Sequence, residues 1–544
     1  MPAPGPLPRT ARYRPTIVWG TGTGVDTAAY DDVSGYYLNQ PGLVVEGIGR
    51  DQARAYAPPA APAFDLTLNN WSGRFSPGGP IGNFVGRGCE TSLDVEYGVD
   101  YLCDDPDVPV DSERVLCNGV LIARLFDGVT NTVEQTLTRP NRTVGVRALG
   151  RLSLLLDKRP HSYALYENIR TDQAISYLLD AVGWPAGTRV LDSGDTLLSY
   201  WWMDGTQSGM DVLNAILAAE GAGGCAYEQG GVFHFEGRQS RQTNNRSTET
   251  QWIFSDGFTD DPSCDSSLTL VDDPNTLCNG VVGVILKDVN PSEFSSNPDE
   301  VVASVTATIN QRTETTVQKI WELGRALVLT PNQVFDLDAA VSDPYKSAVT
   351  PLLGTDYTIA AGSLVSVVLL QTTGVHVRTR WTAGPGGATI HGATSNGPQV
   401  RAVSLPVISQ IVVSSTVDTS AFEPRYASRT QQMACWPEMA RQQALDLVNS
   451  MASRYMQERR QAVIRVANLD STHLLAMLDL RISDRVQWLQ RHGAINDPYW
   501  IEQISHEIAP GGSLHLVTLG LERVFDTIGG RFDEGTFDES VFGD

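Results

Sequence analysis

Two histidines, His506 and His515, are the pair in this chain whose types and spacing could do chemistry together. A tight turn near Pro510-Gly511 would set them directly across a hairpin from one another, where two imidazoles could share a metal. No third ligand is identifiable, so a stacked or exposed pair is the expectation and a metal site the alternative. His506-Glu507 begins like a zinc-protease helix, but Pro510 stands where the second ligand belongs and the segment alternates like a strand. Gly20-Thr21-Gly22-Thr23-Gly24 lacks the Lys-Ser/Thr of a phosphate loop and reads as a β-turn. Asp104-Asp105-Pro106-Asp107 and Asp260-Asp261 follow no calcium-loop spacing, and acidic surface turns are common. No Gly-x-Ser-x-Gly elbow occurs, and a pair of glycosidase carboxylates is defined in space rather than along a chain. The expectation is therefore no catalytic residue and no cofactor.

Composition narrows the classes further. Lys+Arg 40 against Asp+Glu 63 gives a net charge of −23, which disfavours a surface that grips nucleic acid or anionic lipid, though an acidic wall suits a conduit through which DNA passes without sticking. The 544 residues imply roughly three to five domains. The 7 cysteines are scattered, odd in number and never in a Cys-x-x-Cys pair, as reduced core residues would be. The start, Met1-Pro2-Ala3-Pro4, has no apolar centre, and the longest apolar run, Leu364 to Leu370, is too short for a bilayer. A soluble chain made in a cytoplasm is expected.

The periodicity is mostly that of β-structure. From about Arg14 to Leu156 short alternating runs are split by Gly, Pro, Asn and Asp, the pattern of a barrel or sandwich. A helix follows, with Thr171 as N-cap, Ile175, Leu178, Leu179 and Val182 as its stripe, and Gly183 and Pro185 as its stop. A second helix has Ser208 and Asp211 as a capping pair and ends at Gly221; a hairpin over Cys225–Phe235 turns at Gly230-Gly231. Gln239 to Thr250 has no periodicity and reads as a linker or long loop. Leu116-Cys117-Asn118-Gly119-Val120 recurs as Leu277-Cys278-Asn279-Gly280-Val281, which suggests two related strand-turn units. A third helix has Pro437 in its first turn and a stripe from Ala440 to Tyr455, and it leads into strands near Val463, Arg485, Tyr499–Ile508 and Leu514–Leu521.

One segment carries a resemblance. Phe64, Leu66 and Leu68 alternate along a strand that ends in Asn70-Trp71-Ser72-Gly73-Arg74-Phe75-Ser76-Pro77, preceded by Asp32-Val33-Ser34 and Gly47-Ile48-Gly49-Arg50. This wording is similar to the N-terminal region of baseplate-hub-type minor tail proteins of tailed bacteriophages. Trp184-Pro185, Tyr200-Trp201-Trp202, Glu220-Gly221, Arg425-Tyr426-Ala427-Ser428-Arg429 and Ile482-Ser483-Asp484-Arg485-Val486 follow in matching order, with Ala427 where the family's glycine is expected. The resemblance implies a virion protein of the tail tip, assembled in the host cytoplasm. It further implies a homotrimer with two similar barrels per subunit, lying between a distal-tail ring and tip or fibre proteins and passing the tape measure protein and then DNA.

The expected fold is mainly β with smaller α/β modules: a barrel over residues 1–160, an α/β insert over 161–240, a second barrel over 241–435, a helix-plus-sheet module over 436–528, and an acidic, aromatic tail over 529–544. In that tail Phe532, Phe537 and Phe542 are candidate partner contacts, filling pockets if the segment adds to a neighbour's sheet, whereas a solvated acidic terminus is the blander reading. Alternatives to the hub are a hexameric distal-tail ring subunit, a tail-associated cell-wall hydrolase, and a carbohydrate-binding adhesin that would need Trp71, Trp201 and Trp202 exposed.

Overall fold

The structure is a computed structural model that describes residues 11–19, 31–38, 42–50, 58–76, 79, 81, 88–98, 120–137, 142–161, 164–221, 223–255, 276–278, 281–285, 289–290, 293–294, 304–416, 430–433, 435–455, 461–468, 471–490, 495–509, 512 and 514–524. Six strands open the chain: β1 Arg12–Val18, β2 Leu43–Gly49, β3 Ala63–Asn69, β4 Glu90–Gly98, β5 Val120–Leu137 and β6 Arg142–Gly150. They form an antiparallel ladder in the order β1-β4-β5-β6-β3-β2. Alternation decides their faces: Phe64, Leu66 and Leu68 of β3 are buried, while Asp65 and Thr67 point outward. Beyond β3 the buried Asn70 side chain accepts from the Phe75 amide and donates to Ser76 Oγ, both at 2.9 Å, and Gly73 supplies φ +72°. Those two bonds and that backbone angle are the physical content of the Asn-x-x-Gly-Arg-Phe-Ser wording.

Next come α1 Leu154–Asp157, β7 Tyr166–Arg170, α2 Thr171–Val182, β8 Arg189–Leu191, β9 Leu197–Trp201, α3 Gly209–Glu220, β10 Cys225–Gln229, β11 Val232–Glu236, α4 Ser240–Thr243 and α5 Asn245–Thr248. Thr171 is the first residue of α2 rather than its cap; Gln173 Oε1 accepts from the Arg170 amide instead, and the Thr171 hydroxyl donates to buried Glu220. Ser208 caps α3 through the Asp211 amide at 3.1 Å, and Gly230 and Gly231, both at positive φ, turn the β10–β11 hairpin.

The rest of the chain runs β12 Thr250–Ser255, β13 Thr276–Cys278, β14 Val281–Ile285, β15 Val289–Asn290, β16 Glu293–Phe294, β17 Ser304–Arg312, β18 Val317–Glu322, β19 Leu327–Leu329, β20 Val334–Val349, β21 Thr358–Leu369, β22 Gly374–His391, β23 Gln399–Ser404, β24 Val407–Thr416, β25 Thr430–Met433, α6 Arg441–Tyr455, β26 Gln461–Ala467, α7 Ser471–Asp479, β27 Arg485–Gln490, β28 Ile495–Ile508 and β29 His515–Arg523. Pro437 precedes α6 instead of sitting in its first turn, and its carbonyl accepts from the Asn310 amide at 2.8 Å. The first bond of α6 runs instead from the Ala444 amide to the Ala440 carbonyl at 3.0 Å.

The protein is mainly β, but its modules are nested rather than consecutive. β28 is the pivot. One of its edges pairs with β29; along the other, β27 and then β2 follow one another. The N-terminal ladder is thereby fused to a second ladder in the order β13-β12-β27-β28-β29-β26-β14. The outermost strands of that second ladder end and begin at Cys278 and Val281, three residues apart in sequence, so the ladder must curl back on itself. Both ladders share one buried core that runs from Tyr13 and Phe64 to Ile464, Trp488 and Leu519.

A second core joins the α/β segment to β17, β24, β25 and α6, with Leu178, Trp201, Ile216, Val305 and Leu447 among its residues. The six-stranded sheet, β18-β23-β20-β22-β19 with β21 on β22, has a core of its own around Trp381 and Ile390. The segment 241–435 is divided accordingly: its β12, β13 and β14 belong to the second ladder with β26 to β29, its β17, β24 and β25 join the second core, and its β18 to β23 make the six-stranded sheet. Hydrophobic period shows where strands are, whereas pairing over two hundred residues leaves no local mark.

Candidate functional site

β28 carries a polar side chain into the core at two levels. A register shift between Ile501 and Gln503 lets both Ile501 and Glu502 face inward, after which Ile504, His506 and Ile508 alternate normally. At the first level the fully buried Glu502 carboxylate receives the guanidinium of Arg50, just past β2, and that of Arg241, from α4. The neighbouring Glu522 on β29 is equally buried; Arg454 Nη2 reaches both of its oxygens at 2.8 and 2.9 Å, and Arg50 Nη2 lies 3.8 Å away. Arg241 Nε also donates to Ser483 Oγ at 3.1 Å, and that hydroxyl donates to Glu236 on β11.

Burial alone would raise the Glu502 pKa, but Arg241 and Arg50 outweigh it and hold the carboxyl below its ordinary value. The reverse holds for Glu236, which burial pushes up despite Arg241 and Ser483. Beside it burial also pushes up the Cys225 thiol, with Glu236 adding to the shift, so Cys225 stays protonated and unreactive. This network ties the N-terminal ladder, the α/β segment and the C-terminal ladder together at one point.

Gly49 explains how Arg50 arrives there. It has φ +103°, and a Cβ built on it would stand 2.2 Å from the Glu502 carbonyl. Only glycine permits that approach, so Gly49-Arg50 is the sequence trace of the junction. Arg241 left no such trace. The stretch Gln239 to Thr250 read as a linker, yet it holds α4 and α5, and Arg246 clamps Asp484 at 2.7 and 2.6 Å. Short helical turns whose polar side chains point inward have neither stripe nor apolar run, which is why the pattern missed them.

At the second level His506 Nδ1 and His515 Nε2 are 3.0 Å apart, and His515 Nδ1 lies 2.9 Å from the Tyr13 hydroxyl on β1. The two histidines are not directly opposite: Val517 faces His506 and His515 faces Ile508, a diagonal pair on one face. Both are buried, so the expectation of an exposed or stacked pair gives way to a hydrogen-bonded chain of three rings, with imidazoles tilted at 43°. Burial lowers the His506 pKa to about 4 and takes His515 well below its usual range, so both stay neutral. Among the described residues no group of three His, Cys, Asp or Glu side chains is placed to hold a metal.

Where the modules meet at the surface lies a cleft of about 450 Å³ lined by Tyr97 and Arg124 of the N-terminal ladder, Gln229 and His234 of the hairpin, and Leu478 and Arg481 at the end of α7. His234 stacks on Tyr227 at 4.8 Å, and burial lowers its pKa to about 4. Of the three tryptophans an adhesin would expose, Trp71 is 61% exposed, Trp201 is buried, and Trp202 packs against Trp436. The tail phenylalanines Phe532, Phe537 and Phe542, the Pro510-Gly511 turn, Gly20–Gly24, Arg425–Arg429 and both acidic clusters lie outside the described residues. No helix among the described residues is long and apolar enough to cross a membrane.

No family model matches the sequence, and no curated protein does. Among solved structures, the chain is similar to the 43 kDa tail protein of prophage MuSo2 from Shewanella oneidensis (10% identity, 94% of this chain and 98% of that one, TM-score 0.45). It is also similar to a tail protein from Neisseria meningitidis MC58 (8% identity, 94% and 96%, TM-score 0.44). A third neighbour is an E. coli type VI secretion component described as structurally similar to T4 tail proteins gp27 and gp5 (8% identity, 90% and 75%, TM-score 0.33). Two of these neighbours are described as tail proteins and the third as a component of the type VI secretion system.

Proposed function

We propose that the chain is a structural subunit of a bacteriophage tail tip, of the baseplate-hub type, that joins the tail tube to the tip proteins. The observation that carries this reading is the pair of ladders set side by side across β28 and locked by Arg50, Arg241 and Glu502. A subunit with two such ladders can meet a tube of sixfold symmetry as a trimer, each copy supplying two of six positions. The buried charges then serve to fix the geometry, which suits a part whose mechanism is shape. Partners in this reading are a distal-tail ring above, tip or fibre proteins below, and the tape measure protein and DNA in the lumen, where the −23 charge keeps phosphates from sticking.

Light scattering on the purified protein, alone and mixed with the neighbouring tail proteins, tests the reading. A trimer supports the hub, and a hexamer transfers the chain to the distal-tail ring. A stable monomer that clears host cell walls overturns the structural role.

A further inference from the structure

Two strands present bare edges of an unusual kind. β21 pairs with β22 on one side and, among the described residues, with no strand on the other; β24 likewise pairs only with β17. A free edge carries a row of unpaired N–H and C=O groups, and proteins ordinarily guard it with charge or proline. β18, at the far edge of the β21 sheet, has such a guard in Lys319 and Glu322. By contrast, Thr358 to Leu370 and Val407 to Thr416 contain no charged residue and no proline. Val365 (69%) and Val368 (44%) on β21, and Ile408 (57%) and Val412 (64%) on β24, are exposed.

We infer that these edges pair with each other between copies of this chain, β21 of one copy adding to β24 of the next. The occupant follows from charge and count. Two molecules each carrying −23 repel, and with salt screening that repulsion is least where the contact itself is uncharged, as both strips here are. The edges run 12 and 10 residues, so one is long enough to meet the outward-facing backbone groups of the other, save those displaced by the three register shifts of β21. Pairing of β21 with itself would leave β24 bare, whereas head-to-tail pairing uses both edges and propagates around a ring. The inference deepens the proposed function and rests on it for closure of the ring, while the edges stand on their own geometry.

The test uses the full chain with Val365→Lys and Val412→Lys, each at an exposed site where the fold tolerates lysine, as circular dichroism would verify. Wild type should associate, and hydrogen exchange at alternate amides of 358–369 and 407–416 should slow by roughly tenfold or more as protein concentration rises. Each variant alone should remain monomeric. Mixed together they should form a dimer and nothing larger, because Val365→Lys keeps its β24 edge and Val412→Lys keeps its β21 edge. Association of wild type with both edges unprotected, association of either variant by itself, or no association of wild type at any concentration overturns the pairing. Incorporation into tail particles reads the parent proposal separately: particles that contain wild type with both edges exchanging freely leave the hub reading intact, and particles without the protein refute it.

Discussion

Arg50, Arg241 and Glu502 show how charge can sit at the centre of an apolar core when each group has its partners. Removing one member leaves the others buried and uncompensated, so Arg241→Ala should cost about 3–5 kcal/mol in denaturant unfolding, whereas replacing Arg50, Arg241 and Glu502 together by Met, Met and Leu should cost much less. A full-sized loss in the triple variant would mean that the network does more than neutralise itself. The histidines make a pH prediction. Unfolded His506 titrates near 6.5, but burial holds it near 4 in the fold, so between those values the unfolded chain binds the extra proton. Stability therefore rises with pH through that window and is lost on acidification, by roughly 3 kcal/mol for this one group. Glu228 works the other way. Burial pushes it from 4.5 up to about 7 despite the Leu152 and Arg151 amides it accepts, so its contribution is present at low pH and lost as pH rises through 7. Unfolding midpoints between pH 4 and 7 should thus depend less on acid in His506→Gln and more on acid in Glu228→Gln.

Among the elements, β28 is the one that joins the two ladders, because β2, β27 and β29 all pair with it. Its seam with β2 hangs on Gly49. Gly49→Ala adds a Cβ 2.2 Å from a carbonyl and asks alanine to hold φ +103°, so we expect a loss of about 2–4 kcal/mol and a lower Tm. The same change at Gly73, at φ +72° with open space around its Cβ position, should cost about 1 kcal/mol from backbone conformation alone. Equal losses at the two sites would show that close approach of β2 to β28 is not what Gly49 supplies. Neither glycine stands out by composition among the 50 in the chain; each is marked by its neighbours, Arg50 in one case and Asn70 in the other.

At the scale of the molecule, nesting has a consequence for how the chain comes apart. The six-stranded sheet enters and leaves near Arg312 and Leu405 and has its own core of Trp381, Leu337 and Tyr357. A fragment of residues 313–406 should fold alone, with a cooperative melt and dispersed amide resonances. A fragment of residues 1–160 should not, because the outer edge of β2 and part of the core under it belong to β28 and β29. Co-expression of residues 161–544 with that fragment should restore it. A stable 1–160 fragment would show that the shared core contributes little.

What could be known before any coordinates was set by local chemistry: the strand alternation, the helices α2 and α3 with their glycine stops, the apolar stripe of α6, the Gly-Gly hairpin, and the turn after Asn69. Each depends on residues within a few positions of one another, where period and turn propensity speak directly. The pairing of β2 with β28, the assembly of the second ladder from both sides of 304–416, and the burial of Arg241 from an apparent linker were decided only in three dimensions. The histidine pair fell between the two: its hairpin was legible, but a register displaced by two residues and Tyr13, from the opposite end of the chain, turned a candidate metal site into a buried hydrogen-bonded chain. Long-range pairing is chosen by the sum of many weak contacts across the core, and no single stretch of sequence carries that sum.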